Sequence, residues 1–293
     1  MSPLDDELRR ILWSSLGLLH ELTAQRREHR EIEASRVQRE LLGDPRHADT
    51  RRLVRHGFKI YSQNDEDGII AEVFRRIGVA SRTFFEIGAG DGLENNTLTL
   101  LTQGWSGLWC EPHPDRRGII ERRLQPWIST GRIRVSPQVV DPANVNEIAL
   151  LGGVNVDVDL LSIDVDGNDL WIWRALTAVR PRVVVIEYNA TWRPPLTLAV
   201  HYQADWQWDG SNYFGASLGA LEEVGNELGY ALVGCCIAGV NAFFVRKDLC
   251  GENLFLSPFT AEEHFEPARY FMSALPAGHR PGIGPLMEIN GRR

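Results

Sequence analysis

Lysine is nearly missing from this chain: Lys59 and Lys247 are the only two among 31 basic residues, and the rest are arginine. Arginine stays protonated in proteins, so chemistry that needs a deprotonated amine has two candidate positions at most. Cysteine is scarce as well. Four of them (Cys110, Cys235, Cys236, Cys250), irregularly spaced over 293 residues, exclude a disulfide scaffold or a cysteine-based zinc site, and reduced thiols in strands are expected. No apolar run approaches the ~20 residues of a membrane span. The opening MSPLDDELRRILWSS carries acids where a signal peptide needs a basic region, so a cytoplasmic location is expected. An excess of positive charge is also lacking: the net charge of −8 argues against a nucleic-acid backbone as the main partner.

What is present is an ordinary core. With 43% apolar and 24% charged residues the chain can fill one large domain plus extensions, which excludes disordered and collagen-like classes. From Leu4 to Leu42 the only internal glycine is Gly17, and Leu8, Leu12, Leu19 and Leu22 recur with charges between them. This predicts one or two amphipathic helices, a helical extension over residues 1–50 that mediates homo-oligomerisation, with Gly43–Thr50 as linker. Residues 51–293 then form the main domain and a C-terminal tail. Strands are predicted at Thr83–Ile87, Gly107–Glu111, Arg132–Ser136, Asp159–Asp164, Arg182–Tyr188, Tyr230–Cys235 and Asn241–Arg246. Helical stretches separate the first five, the pattern of a parallel sheet covered on both faces. Only CIAGV separates the last two, too short for a crossover, so they must be an antiparallel hairpin. A seven-stranded, mostly parallel α/β sheet ending in such a hairpin resembles a Rossmann-like class I methyltransferase more than a dinucleotide dehydrogenase.

Four acids sit at strand ends, where open α/β sheets bind ligands: Glu86, Glu111, Asp164 and Glu187. The first strand runs into EIGAGDG, whose Gly88 and Gly90 permit a tight turn and close backbone approach to a ligand. Leu93 stands where a G-x-G-x-x-G fingerprint needs its third glycine. Glu86 suits a ligand ammonium or a loop contact, and Glu111 is placed for the ribose hydroxyls of an adenosine. Both motifs serve NAD and S-adenosylmethionine sites alike, so they define an adenosyl pocket and not a reaction. SIDVDGND fails as an EF-hand, because Gly167 falls at the fourth position instead of the sixth. It also resembles the D-x-D-G of haloacid-dehalogenase-type phosphatases, but that motif belongs on the first strand. The preferred reading sets Asp164 at the fourth strand tip beside Glu187 and Asn189. Two carboxylates ~5 Å apart repel by ~3 kcal/mol at an effective dielectric of ~20, which asks for a cation such as Mg²⁺. The alternative is direct contact of Asp164 with cofactor or substrate, without metal.

FEIGAGDG, LWCEP, LLSIDVDGNDLWIW, VVVIEYN, the segment from Tyr213 to Cys235 and GVNAFFVRKDL together resemble the FkbM-type branch of S-adenosylmethionine-dependent methyltransferases, over roughly Tyr61–Leu249 with YSQNDEDGII included. The resemblance implies methyl transfer, usually to a hydroxyl, with Glu86, Gly88, Gly90, Glu111 and Asp164 at the cofactor. By similarity to metal-dependent sugar and catechol O-methyltransferases, Asp164, Glu187 and Asn189 look like a metal triad. Gly167 stands where the catechol enzymes carry a lysine base. The proton acceptor is then expected to be His201 or a carboxylate such as Asp166. Residues 188–214, rich in Trp and Tyr and bent at Pro194-Pro195, are expected to form a lid or a stacking wall for the substrate. The sequence therefore predicts an O-methyltransferase for a sugar, glycan or related natural product, assisted by a divalent ion. An N-methyltransferase without metal and a non-catalytic cofactor-binding scaffold are the alternatives.

Overall fold

The computed structural model describes residues 3–272 and 279–289. The chain divides into two compact units, Met1–Pro45 and Arg46–Arg293. The first contains one helix, Pro3–Leu42, unbroken where one or two helices are predicted. Of its leucines, Leu12, Leu16, Leu19 and Leu22 are exposed; the side chains of Leu4 and Leu8 lie outside the described residues.

In the second unit the strands are β1 (Thr83–Ile87), β2 (Ser106–Cys110), β3 (Ile133–Ser136), β4 (Leu160–Ile163), β5 (Val183–Glu187), β6 (Leu198–Val200), β7 (Tyr230–Cys235), β8 (Asn241–Arg246) and β9 (Leu286–Glu288). Seven of them form one sheet in the order β3-β2-β1-β4-β5-β8-β7. The pairs among β1 to β5 are parallel, while β8 runs antiparallel to both β5 and β7. Each strand predicted from the sequence is present, its ends within about a residue of the predicted ones.

The strands read as unbroken apolar runs because both faces are covered. Phe84, Val183, Val185 and Phe243 enter the core on one face, and Phe85, Val184, Ile186 and Phe244 enter the other. The hairpin residues Cys236 and Ile237 close the β7–β8 turn with Gly239 at φ +73°, and Cys236 N–H donates to the Asn241 carbonyl at 2.9 Å. All four cysteines are free and buried. Cys110 and Cys235 are strand residues as predicted, whereas Cys236 lies in the hairpin turn and Cys250 follows the 3₁₀ turn Lys247–Leu249.

Two features are absent from the sequence reading. A second, two-stranded sheet pairs β6 with β9, antiparallel. The C-terminal segment 279–289 is thereby strapped across the aromatic segment. Further ties are a bridge between Ser211 and Arg280, the Tyr213 hydroxyl donating to the Pro285 carbonyl at 2.6 Å, and Gly282 N–H donating to Asn212 Oδ1 at 2.8 Å. Among the described residues no helix is long and apolar enough to cross a membrane.

Candidate active site at the carboxyl ends of the central strands

The glycine turn leaves β1 wedged between the tips of β2 and β4. Gly88 and Ala89 N–H both donate to the Cys110 carbonyl, at 3.0 and 3.1 Å. Gly88, Gly90 and Gly92 all have positive φ, a conformation that L side chains rarely adopt. At Gly88 a Cβ would lie 1.7 Å from the Asp164 carbonyl oxygen, so the tips of β1 and β4 approach this closely only because the residue is glycine.

Glu86 serves the loop and not the turn's open side. Its Oε1 accepts from Asn96 N–H at 3.0 Å and its Oε2 from the Thr97 hydroxyl, which itself accepts from the Trp109 indole. Complete burial pushes its carboxyl up to about 7, against those hydrogen bonds. Of the two roles open to Glu86 from the sequence, the geometry displays the loop contact. Glu111, buried at the tip of β2, accepts from His113 N–H at 2.8 Å through Oε1. Its Oε2 has Arg116 at 3.8 Å.

On the neighbouring tips three carboxylates converge. Asp164, Asp166 and Glu187 each have an oxygen within 4.8 Å of the others'. Oε2 of Glu187 is buried without a hydrogen-bond partner among the described residues. Burial, followed by the charges of its acidic neighbours, raises Asp164 well above the ordinary carboxylate range, and Glu187 is raised for the same reasons. Asp166 is raised by burial too, with Arg116 and then His279 opposing. It adopts φ +57°, and its carbonyl accepts from the Trp206 indole at 2.9 Å. Behind the cluster, Asp169 at the start of its helix binds Val165 and Gly167 N–H at 2.8 Å each and is pushed up to about 6 by burial.

This grouping differs from the triad read from the sequence. Asn189 is buried and its amide is bonded within the chain: Nδ2 donates to the Asn212 and Phe214 carbonyls at 2.8 and 2.9 Å, and Oδ1 accepts from Thr191 N–H at 3.0 Å. It fastens the aromatic segment, and Asp166 is the third carboxylate beside Asp164 and Glu187. His201, expected as proton acceptor, is exposed just beyond β6, and nothing among the described residues ties it to the carboxylates.

Sequence reasoning also missed Glu66 and Asn241. Glu66, buried in the first turn of the helix Glu66–Ile77, accepts from Asn64 N–H at 2.7 Å and from Asn241 Nδ2 at 2.9 Å. Asn241 is the register partner of Glu187 across β5 and β8, so the acidic run Asp65-Glu66-Asp67 backs onto the same sheet edge. The signal was that run itself, read only as part of a longer resemblance. A separate cavity of about 190 Å³, lined by Thr83, Ser106, Arg134 and Gly153, opens at the amino ends of β1 to β3. It is smaller than ordinary cofactor sites and lies at the opposite edge from the carboxylates.

The strand order, with one antiparallel strand inserted between β5 and β7, together with the glycine turn after β1, is the class I methyltransferase fold. Solved structures similar to this chain are an O-methyltransferase family protein from Burkholderia thailandensis (13% identity, 62% of this chain and 58% of that one, TM-score 0.40), an S-adenosylmethionine-dependent methyltransferase from Clostridium acetobutylicum (12%, 60% and 88%, 0.38) and the O-methyltransferase from Bacillus cereus in complex with SAH (17%, 55% and 67%, 0.34). The chain thus spans less than two thirds of the length of the Burkholderia protein. These likenesses bear on the fold alone. No family model matches the chain, and no curated protein matches it. The FkbM-type resemblance is corrected accordingly: no family model matches the chain, so it takes the class I fold and is not assigned to that branch. The physical reason is that the glycine turn, the acid after β2 and the closing hairpin are requirements of an adenosyl site on this sheet and do not distinguish its branches.

Proposed function

We propose that the protein is an S-adenosylmethionine-dependent O-methyltransferase acting on a hydroxyl of a sugar, glycan or related natural product, with a divalent ion such as Mg²⁺ at the strand tips. One observation carries the reading: the adenosyl-type glycine turn and the convergent carboxylates Asp164, Asp166 and Glu187 lie on adjacent tips of one class I sheet. The turn at Gly88 and Gly90 would cradle the cofactor, and Glu111, with Oε2 left over by its own turn, would take the ribose hydroxyls. The three carboxylates fit a hard cation, since they offer only oxygen, carry an orphaned Oε2 and repel each other without one. When bound, such an ion lowers the pKa of a hydroxyl beside it. Around it the chain's own task is alignment: Trp206, pinned to the Asp166 carbonyl, and the strapped aromatic segment form a wall that orients the acceptor and excludes water. Convergent acids with an unpaired oxygen favour this over a metal-free N-methyltransferase or a non-catalytic scaffold.

Calorimetry with S-adenosylhomocysteine and with NAD tests the cofactor, the first expected to bind and the second not. Glu111→Ala should lower S-adenosylhomocysteine affinity by ~1.5 to 3 kcal/mol, the range for hydrogen bonds to a charged group; unchanged affinity would remove Glu111 from the ribose. Methyl transfer to a panel of methyl glycosides and catechol, read by mass, tests the reaction. We further propose that the helix Pro3–Leu42 self-associates through its exposed leucines. Light scattering should give an oligomer for the full chain and a smaller mass without residues 1–45, whereas a monomeric full chain would end that idea.

A further inference from the structure

The D-G-N-D-L-W run at 166–171 is stitched to the segment that follows β6. Asn168 and Gln203 exchange two bonds: Asn168 Nδ2 donates to the Gln203 carbonyl at 2.7 Å, and Asn168 Oδ1 accepts from Gln203 N–H at 3.4 Å. The Trp171 indole donates to the Val200 carbonyl at 3.0 Å. The Trp206 indole donates to the Asp166 carbonyl, and Gly167 lies against that ring. A Cβ at 167 would overlap the Nε1, Cδ1 and Cε2 of Trp206, so the indole settles on the turn only because residue 167 has no side chain. Tyr213 packs against Trp206 with centroids 5.8 Å apart, and its hydroxyl is tied to the C-terminal strap at Pro285.

The peptide group between Asp166 and Gly167 is therefore pinned at both ends. Its carbonyl accepts from Trp206 at 2.9 Å, and its N–H donates to Asp169 Oδ2 at 2.8 Å. Asp169 Oδ1 takes the Val165 N–H at 2.8 Å as well. Between these anchors Asp166 is held at φ +57°, a left-handed conformation that a residue with a Cβ keeps only where its surroundings impose it. The direction of a side chain from its Cα follows from the backbone around it. Whatever fixes this peptide also fixes where the Asp166 carboxylate stands, with an oxygen within 4.8 Å of those of Asp164 and Glu187.

We infer that Trp206 is a positioning residue of the ion site: its indole, seated on Gly167 and bonded to the Asp166 carbonyl, holds the third carboxylate beside the other two. The inference rests on the divalent ion proposed above. An ion that draws the three carboxylates together favours the backbone the indole holds, and the indole favours the geometry the ion needs. Closure of the 200–206 segment over the turn and ion binding are thus linked, and each strengthens the other by the same factor. The acceptor wall and the ion site become one assembly, with the D-G-N-D run as the seam between them.

Trp206→Phe keeps a ring but removes the N–H, and Gly167→Ala puts a methyl where the indole lies. The full chain is titrated calorimetrically with Mn²⁺, an ion that takes the same oxygen ligands as Mg²⁺. Both variants should bind it ~10- to 100-fold more weakly than the unaltered protein, the range for contacts that orient a metal ligand, while S-adenosylhomocysteine affinity stays as it was. Asp166→Ala removes the carboxylate itself, and adding Trp206→Phe to it should change Mn²⁺ affinity by less than ~2-fold, because the indole has nothing left to position. In hydrogen exchange, Mn²⁺ should slow the amides of 200–206 in the unaltered protein and not in Trp206→Phe. Unchanged Mn²⁺ affinity in Trp206→Phe overturns the inference. So does an equal loss from Trp206→Phe with and without the Asp166 carboxylate, which would make the indole a general packing contact. If the unaltered protein takes up no Mn²⁺, the ion reading itself fails and the positioning role falls with it.

Discussion

Replacing Asp159 with alanine is expected to destabilise the domain by ~3 to 5 kcal/mol, the cost of leaving a buried cation without its partner. Asp159 stands at the amino edge of the sheet, just before β4, and is wholly buried. Its Oδ1 accepts from Arg182 at 2.6 Å and from Ala80 N–H at 3.0 Å; its Oδ2 accepts from the N–H groups of Ser81 and Arg82 at 2.7 and 2.6 Å and from the Ser81 hydroxyl at 3.0 Å. Arg182 also donates to the Gly78 and Ile77 carbonyls. One carboxylate thus ties the entries of β1, β4 and β5 together. Burial alone would raise it, but Arg182 and the amides outweigh that and hold it below the ordinary value. A depressed carboxyl gives stability that is present above the unfolded value and lost as pH falls through the folded one. Asp159→Ala should lower the melting temperature by on the order of 10 °C at pH 7, and Asp159→Asn by less, since the amide oxygen still accepts. A drop under ~1 kcal/mol for the alanine variant would mean that water replaces the carboxylate.

Asp159 also marks the limit of what the sequence makes legible. The strands are legible because each is a short apolar run bounded by polar residues, and β-sheet burial on two faces leaves that pattern in one dimension. The β7–β8 hairpin is legible from the length of CIAGV alone. Asp159, by contrast, looks like the polar start of a strand. Its worth comes from Arg182 and the 80–82 turn, partners 23 and 77 to 79 residues away in the chain, and no local pattern announces them. β6 and β9 escape for the same reason: three residues each are too few for a period, and their pairing joins segments some 90 residues apart.

The candidate site divides along the same line. Gly88, Gly90, Glu111, Asp164 and Glu187 are legible because strand-end position follows from strand prediction. Asn189 lies one residue past Tyr188, beyond the strand tip, and there the backbone's direction decides. It turns Asn189 inward to hold the carbonyls of 212 and 214. Asp166 reaches the cluster through a positive φ that a non-glycine residue seldom adopts. His201, read as a proton acceptor because lysine is scarce, lies exposed beyond β6, and where it stands is set by the second sheet.

Divalent cation is expected to stabilise the protein increasingly as pH rises from 6.5 to 8. Burial, with like charges close by for most of them, has raised Asp164 and Glu187 well above the ordinary value, Glu86 to about 7 and Asp65 to about 8. A carboxyl raised by folding keeps a proton that the unfolded chain has already released, so the folded state binds more protons and stability falls with rising pH up to the folded value. His264, buried and lowered to about 4 by desolvation, works the other way, but only between its unfolded value near 6.5 and about 4, which leaves the upper window to the acids. An ion held by Asp164, Asp166 and Glu187 replaces those protons. With Mg²⁺ at 100 times its dissociation constant the gain is ~2.7 kcal/mol, and it should be larger at pH 8 than at pH 6.5, because fewer protons compete at the higher pH. Asp164→Asn removes one charge from the repelling set, so it should flatten the fall of stability with pH in the absence of ion and abolish most of the Mg²⁺ response. Asn189→Ala should leave the ion response in place while loosening the 212–214 segment. Melting curves at the two pH values, with chelator and with Mg²⁺, separate these outcomes. Equal melting temperatures with and without Mg²⁺ at pH 8 would show that the three carboxylates bind no ion, and would leave them to contact the acceptor directly.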